Sequence, residues 1–214
     1  YDDPEIYKNI FQAGFTDSVF QFESKGFKDI CKRTLPSTLE NLSALNALFR
    51  PGPIDSGSLE LYILRKNGKE EITYEFQELQ KVLSDTYGVL VYQEQIMSIF
   101  RILADYSLAE ADNVRRSMGK KKREVMDKEK DMFLERAINK GYDQDKLAEL
   151  WDSIVSYSEY CFNRAHSLAY AAMGYQTAYL KYYYPVYFWA TVLTNECNDP
   201  SSFKDYLDLV KQNF

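Results

Sequence analysis

Along most of the chain, apolar residues recur three and four positions apart, the spacing of one face of an α-helix. Asp3-Pro4 opens the first such pattern, Ile6, Ile10 and Phe11 face inward, and Gly14 ends it. Val19-Phe20-Gln21-Phe22 reads as a short extended stretch. Ser37-Thr38-Leu39-Glu40 has the form of a capping box ahead of Leu42, Leu45 and Leu48 on one face. That helix must stop at Phe49-Arg50-Pro51-Gly52-Pro53, because each proline lacks a donor and biases its predecessor away from helical backbone. Lys66-Asn67-Gly68-Lys69 reads as an exposed turn. Thr86-Tyr87-Gly88 breaks the chain before the β-rich Val89-Leu90-Val91-Tyr92, and Ile96, Ile99, Phe100 and Leu103 then stripe a helix from Gln93 to Leu103.

Ser107-Leu108-Ala109-Glu110 is a second capping box, which predicts a helix over 107–118 with Leu108, Ala111, Val114 and Met118 as its apolar stripe. Val125, Phe133, Ala137 and Ile138 stripe the next helix, which ends at Gly141. Asp143-Gln144-Asp145 reads as the N-cap of another, carrying Leu147, Leu150, Trp151, Ile154 and Val155. After a break at Cys161-Phe162-Asn163-Arg164, a long helix runs from His166 to Tyr183 and ends before Pro185. Ala169, Ala172, Met173, Gln176 and Leu180 cover much of its circumference, which predicts burial between other helices, and the tyrosines from Tyr179 to Tyr187 read as core and rim packing. Asp199-Pro200-Ser201 starts a final helix. The expected fold is mainly α, a multi-helix domain with a few short extended segments and no internal repeat.

Charge changes this picture at one place. The 214 residues carry a formal net charge of −6, yet six cations fall within the nine residues from Arg115 to Arg123. Side chains concentrated against their own repulsion suit an anionic partner, although a solvated basic turn at a helix end is the plain alternative. Arg115 and Arg116 fall on the last turn of the 107–118 helix, about 100° apart and off the apolar stripe, and Gly119 can end that helix. Arginine suits bidentate contact with phosphate oxygens, whereas Lys120, Lys121 and Lys122 act as longer, mobile point charges. The spacing of a Walker A loop is absent. Three dispersed cysteines, Cys31, Cys161 and Cys197, argue against disulfides and a structural zinc, and the single His166 against multi-histidine metal sites. With neither a long apolar run nor a charged-then-apolar start, the chain is expected to be cytoplasmic and not membrane-bound.

Six motifs in order carry a resemblance: Phe20-Gln21-Phe22-Glu23-Ser24; Phe49-Arg50-Pro51-Gly52-Pro53; Thr86-Tyr87-Gly88 with Tyr92-Gln93-Glu94-Gln95; the Arg115-to-Lys122 cluster; Phe162-Asn163-Arg164-Ala165-His166-Ser167; and Tyr175-Gln176-Thr177-Ala178-Tyr179-Leu180-Lys181. Together they resemble the fingers region of the C-family replicative DNA polymerases, the alpha subunits of bacterial DNA polymerase III. The resemblance implies a connection to the palm over residues 1–24 and a fingers domain over 25–214. It implies binding of the incoming dNTP triphosphate by Arg115, Arg116, Asn163, Arg164 and His166, and contact with DNA or phosphate by Arg50, Lys120, Lys121 and Lys122. Gln93, Glu94 and Tyr170 would support the pocket, with Arg50 able instead to cap a helix. The Mg²⁺ ions of the full-length enzyme would be held by palm carboxylates absent here, leaving this chain with no catalytic or metal-binding residue of its own and inactive alone. Primer-template DNA, a sliding clamp and other replicase subunits are the implied partners. Cys161, Arg164 and Ser117 stand where the family usually has Gly, Lys and Ala. Two other classes fit the charge pattern: a non-enzymatic nucleic-acid-binding helical module, and a protein-interaction scaffold whose basic turn meets an acidic partner.

Overall fold

A computed structural model describes residues 1–119 and 123–213, the side chains of 119, 123–125 and 213 excepted. Its helices are α1 (Pro4–Ile6), α2 (Lys25–Thr34), α3 (Leu39–Leu48), α4 (Pro51–Asp55), α5 (Ser58–Lys66), α6 (Gln80–Leu83), α7 (Gln93–Ala104), α8 (Leu108–Gly119), α9 (Arg123–Asn139), α10 (Gln144–Ser158), α11 (Arg164–Tyr183), α12 (Pro185–Asn195) and α13 (Pro200–Asn213). Short 3-10 turns flank α6, and among the described residues the only β-pairing is a single parallel bridge between Tyr92 and Phe162. The mainly α expectation holds.

The chain divides into two compact units, one formed by Tyr1–Leu42 with Ala169–Phe214, the other by Ser43–Leu168. In the first, α1 continues as π-helical backbone over Tyr7–Gln12, and Ile6, Tyr7, Ile10 and Phe11 are all buried. The wider turn of a π-helix brings both Ile10 and Phe11 beneath Ile6, so the adjacent pair shares one face. The stretch 19–22 is not extended. Ser18 and Gln21 take left-handed backbone and two successive turns fold it tightly, which buries both Val19 and Phe22. The α3 cap also sits one residue later than the sequence suggests: Thr38 Oγ1 accepts from Asn41 N at 3.2 Å and Asn41 Oδ1 accepts from Ser37 N at 3.1 Å.

α11 shows the largest departure. Its buried face in this unit is Ala171, Gly174, Tyr175, Ala178 and Lys181, while Met173 and Leu180 are 48% and 50% exposed and Ala169 and Gln176 are exposed too. Gly174 explains the choice, since a Cβ there would lie 2.6 Å from the Phe22 ring. The close approach of backbone to that ring selects the small-residue face, and the larger apolar residues are turned outward. Tyr179, Tyr183, Tyr184 and Tyr187 are exposed as well, not core packing.

The second unit is built on α7 to α10. Phe100 is fully buried, with the rings of Phe133, Tyr106 and Trp151 centred 5.2, 5.6 and 5.8 Å away. Ile96, Ile99, Leu103, Ala111, Val114, Met118, Ala137, Leu147, Leu150 and Ile154 complete this core as the helical spacing predicts. Three stripe positions do not join it. Leu108 at the first turn of α8 is 60% exposed, and Ile138 and Val155 lie at the edges of their stripes and are exposed. Val125 falls outside the described side chains. The break at 86–88 is as expected, with left-handed Tyr87 and Gly88. A Cβ on Gly88 would meet the Thr73 carbonyl oxygen at 3.1 Å in a backbone conformation already unfavourable to a side chain.

Candidate nucleotide-binding site

α8 projects the arginine pair from a well-capped rod. Ser107 Oγ accepts from Glu110 N at 3.2 Å, and Glu110 Oε2 accepts from Ser107 N at 2.7 Å, which completes the predicted capping box. Eight residues on, Arg115 donates through Nε and Nη2 to Asp112 Oδ1 at 3.0 and 2.8 Å, while Arg116 Nε lies 2.8 Å from Asp112 Oδ2. One carboxylate therefore holds both guanidinium groups, and the Arg115 hydrogen bonds keep its own proton affinity below the usual aspartate value. Arg116 remains 65% exposed. The third Arg115 nitrogen, Nη1, donates to Gln93 Oε1 at 3.1 Å.

Gln93 carries the connection further. Its backbone N–H donates to the Phe162 carbonyl at 3.0 Å, its side-chain amide donates to the Cys161 carbonyl at 3.4 Å, and Phe162 N–H donates to the Val91 carbonyl at 3.0 Å. Arg115 and the Phe162 motif, 47 positions apart by numbering, are thereby joined through one residue. The neighbouring residues serve the same junction. Glu94 accepts from Asn163 Nδ2 at 2.8 Å and, through both carboxylate oxygens, from Arg164 N at 3.1 Å. Gln95 Oε1 accepts from the backbone of Val91 and Tyr92 at 2.9 Å, and Gln95 Nε2 donates to Thr86 Oγ1 at 2.8 Å.

The backbone donors at the start of α11 are satisfied from within the protein. Asn163 is the N-cap of α11, its Oδ1 accepting from His166 N at 2.8 Å, and the Arg164 N–H faces the Glu94 carboxylate. The protein supplies its own negative charge at the positive end of the helix dipole. The Arg164 side chain donates to Asp85 at 3.1 Å and lies over the Tyr92 ring, 5.4 Å from its centroid. His166 is exposed, its ring 5.4 Å from that of Phe162. Beneath them, buried Ser43, Tyr92 and Ser167 form a hydroxyl cluster: Ser43 Oγ lies 2.9 Å from Tyr92 OH and donates to Ser167 Oγ at 3.0 Å.

Arg50 caps a helix rather than reaching outward. It donates to the Ala47 carbonyl at the end of α3 at 2.8 Å and to the Tyr160 carbonyl at 2.6 Å, and stacks 4.5 Å from the Phe162 ring centroid, with burial lowering its proton affinity. Tyr170 belongs to the other unit, where its ring lies 5.2 Å from that of Phe20. Lys120, Lys121 and Lys122 lie outside the described residues. Cys161 does not take left-handed backbone, so the turn does not require a glycine there.

Asp112, Asp85 and the hydroxyl cluster were not singled out from sequence. Asp112 alone left a local signal, standing three and four positions before the arginines on one helix. Among the described residues no group of three His, Cys, Asp or Glu side chains gathers as a metal-ligand set, and Asp143 Oδ1 accepts from Lys146 N at 3.0 Å as a helix cap.

Residues 1–141 match the family described as bacterial DNA polymerase III alpha subunit finger domain, and the chain belongs to it. Proteins named DNA polymerase III subunit alpha are similar over nearly the whole chain: 45% identity over 210 residues in Aquifex aeolicus, 48% over 210 in Helicobacter pylori and 42% over 207 in Bacillus subtilis, covering 98%, 98% and 97% of this chain. The chain spans 18%, 17% and 18% of those relatives. No described helix is long and apolar enough to cross a membrane.

Proposed function

We propose that the arginine pair at the end of α8, with the Arg164 and His166 side chains on the first turn of α11, holds the triphosphate of an incoming deoxynucleotide for template-directed DNA synthesis by the full-length polypeptide that carries this chain. The observation that supports this most is the bond from Arg115 to Gln93, whose backbone pairs with Phe162: a guanidinium pair and the Asn163-Arg164-His166 turn meet through one residue. Arg115 and Arg116 neutralise phosphate charge as pyrophosphate leaves. Such preorganised contacts are worth roughly 2–4 kcal/mol in the transition state. His166 and the Arg164 guanidinium flank the phosphates, while Asn163, Gln93 and Glu94 hold the framework. Lys120, Lys121 and Lys122 contact the primer-template backbone as point charges. Mg²⁺ bound by carboxylates elsewhere in the full-length polypeptide, and a sliding clamp and other replicase subunits as partners, belong to the same reading.

In the full-length polypeptide, Arg115→Ala or Arg116→Ala is expected to lower kcat/KM for dNTP by roughly 30- to 1,000-fold, with primer-template affinity little changed. Steady-state kinetics and a DNA-binding titration at fixed salt measure the two quantities. Lost DNA affinity with unaltered dNTP kinetics would assign the arginines to the DNA backbone instead. The 214-residue chain alone, given primer-template, Mg²⁺ and four dNTPs, is expected to extend no primer, and extension that survives repurification defeats the reading.

A further inference from the structure

We infer that Asp112 is an internal competitor for the phosphate, its carboxylate standing between Arg115 and Arg116 where two oxygens of a bound triphosphate would lie, so that nucleotide binding proceeds by exchange of one anion for another. The inference rests on the arginine pair being the triphosphate site. Its own support is geometric. Asp112 presents Oδ1 to Arg115 and Oδ2 to Arg116, at 2.8 Å in each case, a two-oxygen bridge between adjacent guanidinium groups. A phosphate offers the same pair of acceptors with more charge and forms equally directional bonds to arginine.

The remaining contacts favour exchange over permanent closure. Arg115 bonds Gln93 through Nη1, a nitrogen that does not bond Asp112, so part of the guanidinium is oriented independently of the Nε and Nη2 that would change acceptor. Arg116 is largely exposed, and an ion pair in that setting is weak enough for a polyanion to displace. After product leaves, the carboxylate closes on the arginines again, which prevents two adjacent like charges from standing unneutralised on one helical turn. Glu94 does not share this behaviour: its carboxylate receives a backbone N–H and the Asn163 amide, neither of which has a charge to hand over.

The experiment is single-turnover incorporation of the correct dNTP by the full-length polypeptide, comparing wild type with Asp112→Asn, Asp112→Ala and Arg115→Ala. Exchange predicts that both Asp112 variants tighten the apparent dNTP Kd by about 3- to 10-fold, the range for release of exposed ion pairs, while Arg115→Ala weakens it. If Asp112 instead positions the arginines, Asp112→Ala weakens dNTP binding, and that result overturns the inference. Unchanged binding in both Asp112 variants overturns it equally, and in either case a weakened Arg115→Ala leaves the triphosphate reading standing. An Arg115→Ala variant with normal dNTP binding removes both.

Discussion

Lys181 lies on the buried face of α11, 2% exposed, with Nζ donating to the carbonyls of Phe15 and Asp17 at 2.9 and 2.8 Å and standing 3.6 Å from the Phe15 ring centroid and 4.9 Å from that of Trp189. Burial lowers its pKa from 10.5 to about 7, against the opposing pull of Asp17, which is itself paired with Lys28. A lowered basic pKa means that between about pH 7 and 10.5 the unfolded chain holds a proton the folded chain has released. The stability attributable to Lys181 therefore rises with pH through that window, by up to about 1.4 kcal/mol per pH unit. Urea unfolding of wild type and Lys181→Met as a function of pH measures it: the difference should shift in favour of wild type from pH 7 upward. A flat difference would mean the two carbonyls keep the ammonium charged throughout. The sequence gives little warning of this residue, since a lysine in a tyrosine-rich helix reads as a surface charge.

At the scale of elements, local chemistry was legible at several points where cause and effect lie within one turn. The Ser107–Glu110 box, the Asp143 and Asp199 caps and the stop at 49–53 all appear as the residues imply, because each depends on partners no more than four positions away. Glu110 adds a tertiary contact, its Oε1 accepting from Arg136 Nη2 on α9 at 3.0 Å. Chiefly through the Ser107 backbone bond, its pKa falls from 4.5 to about 2. A depressed acid stabilises the folded state fully above the unfolded value and loses that contribution as pH falls through the folded one. Denaturant unfolding of wild type and Glu110→Gln should therefore differ above about pH 4.5 and converge toward pH 2. A gap that persists at pH 2 would assign the effect to shape rather than charge. The face buried by α11 was not legible, because its small-residue face and its large-apolar face both recur at helical spacing and only Phe22, distant in sequence, decides between them.

For the molecule as a whole, the aromatic cluster around Phe100 links the site to the core. α7 carries Phe100 inward and Gln93 and Glu94 at its first turn, so the same helix that anchors the second unit fixes the junction between Arg115 and Arg164. Phe100→Ala is expected to cost about 3–5 kcal/mol by leaving a cavity among Phe133, Tyr106 and Trp151, read as a lowered denaturant midpoint. Loss below 1 kcal/mol would show that the cluster closes over the gap.

The sequence by itself determined the helical class, most helix limits and the arginine pair on its capped rod, because backbone propensity, caps and contacts within one turn act locally. Only the tertiary structure decided that Gln93 bonds Arg115 across 22 positions, that Glu94 fills the start of α11 across 70, that Arg50 bonds the Tyr160 carbonyl across 110, and which side of α11 is covered. Each of these is a choice among partners that local spacing leaves equivalent. It is settled by what else must be buried and which donors must be satisfied once the chain has closed on itself.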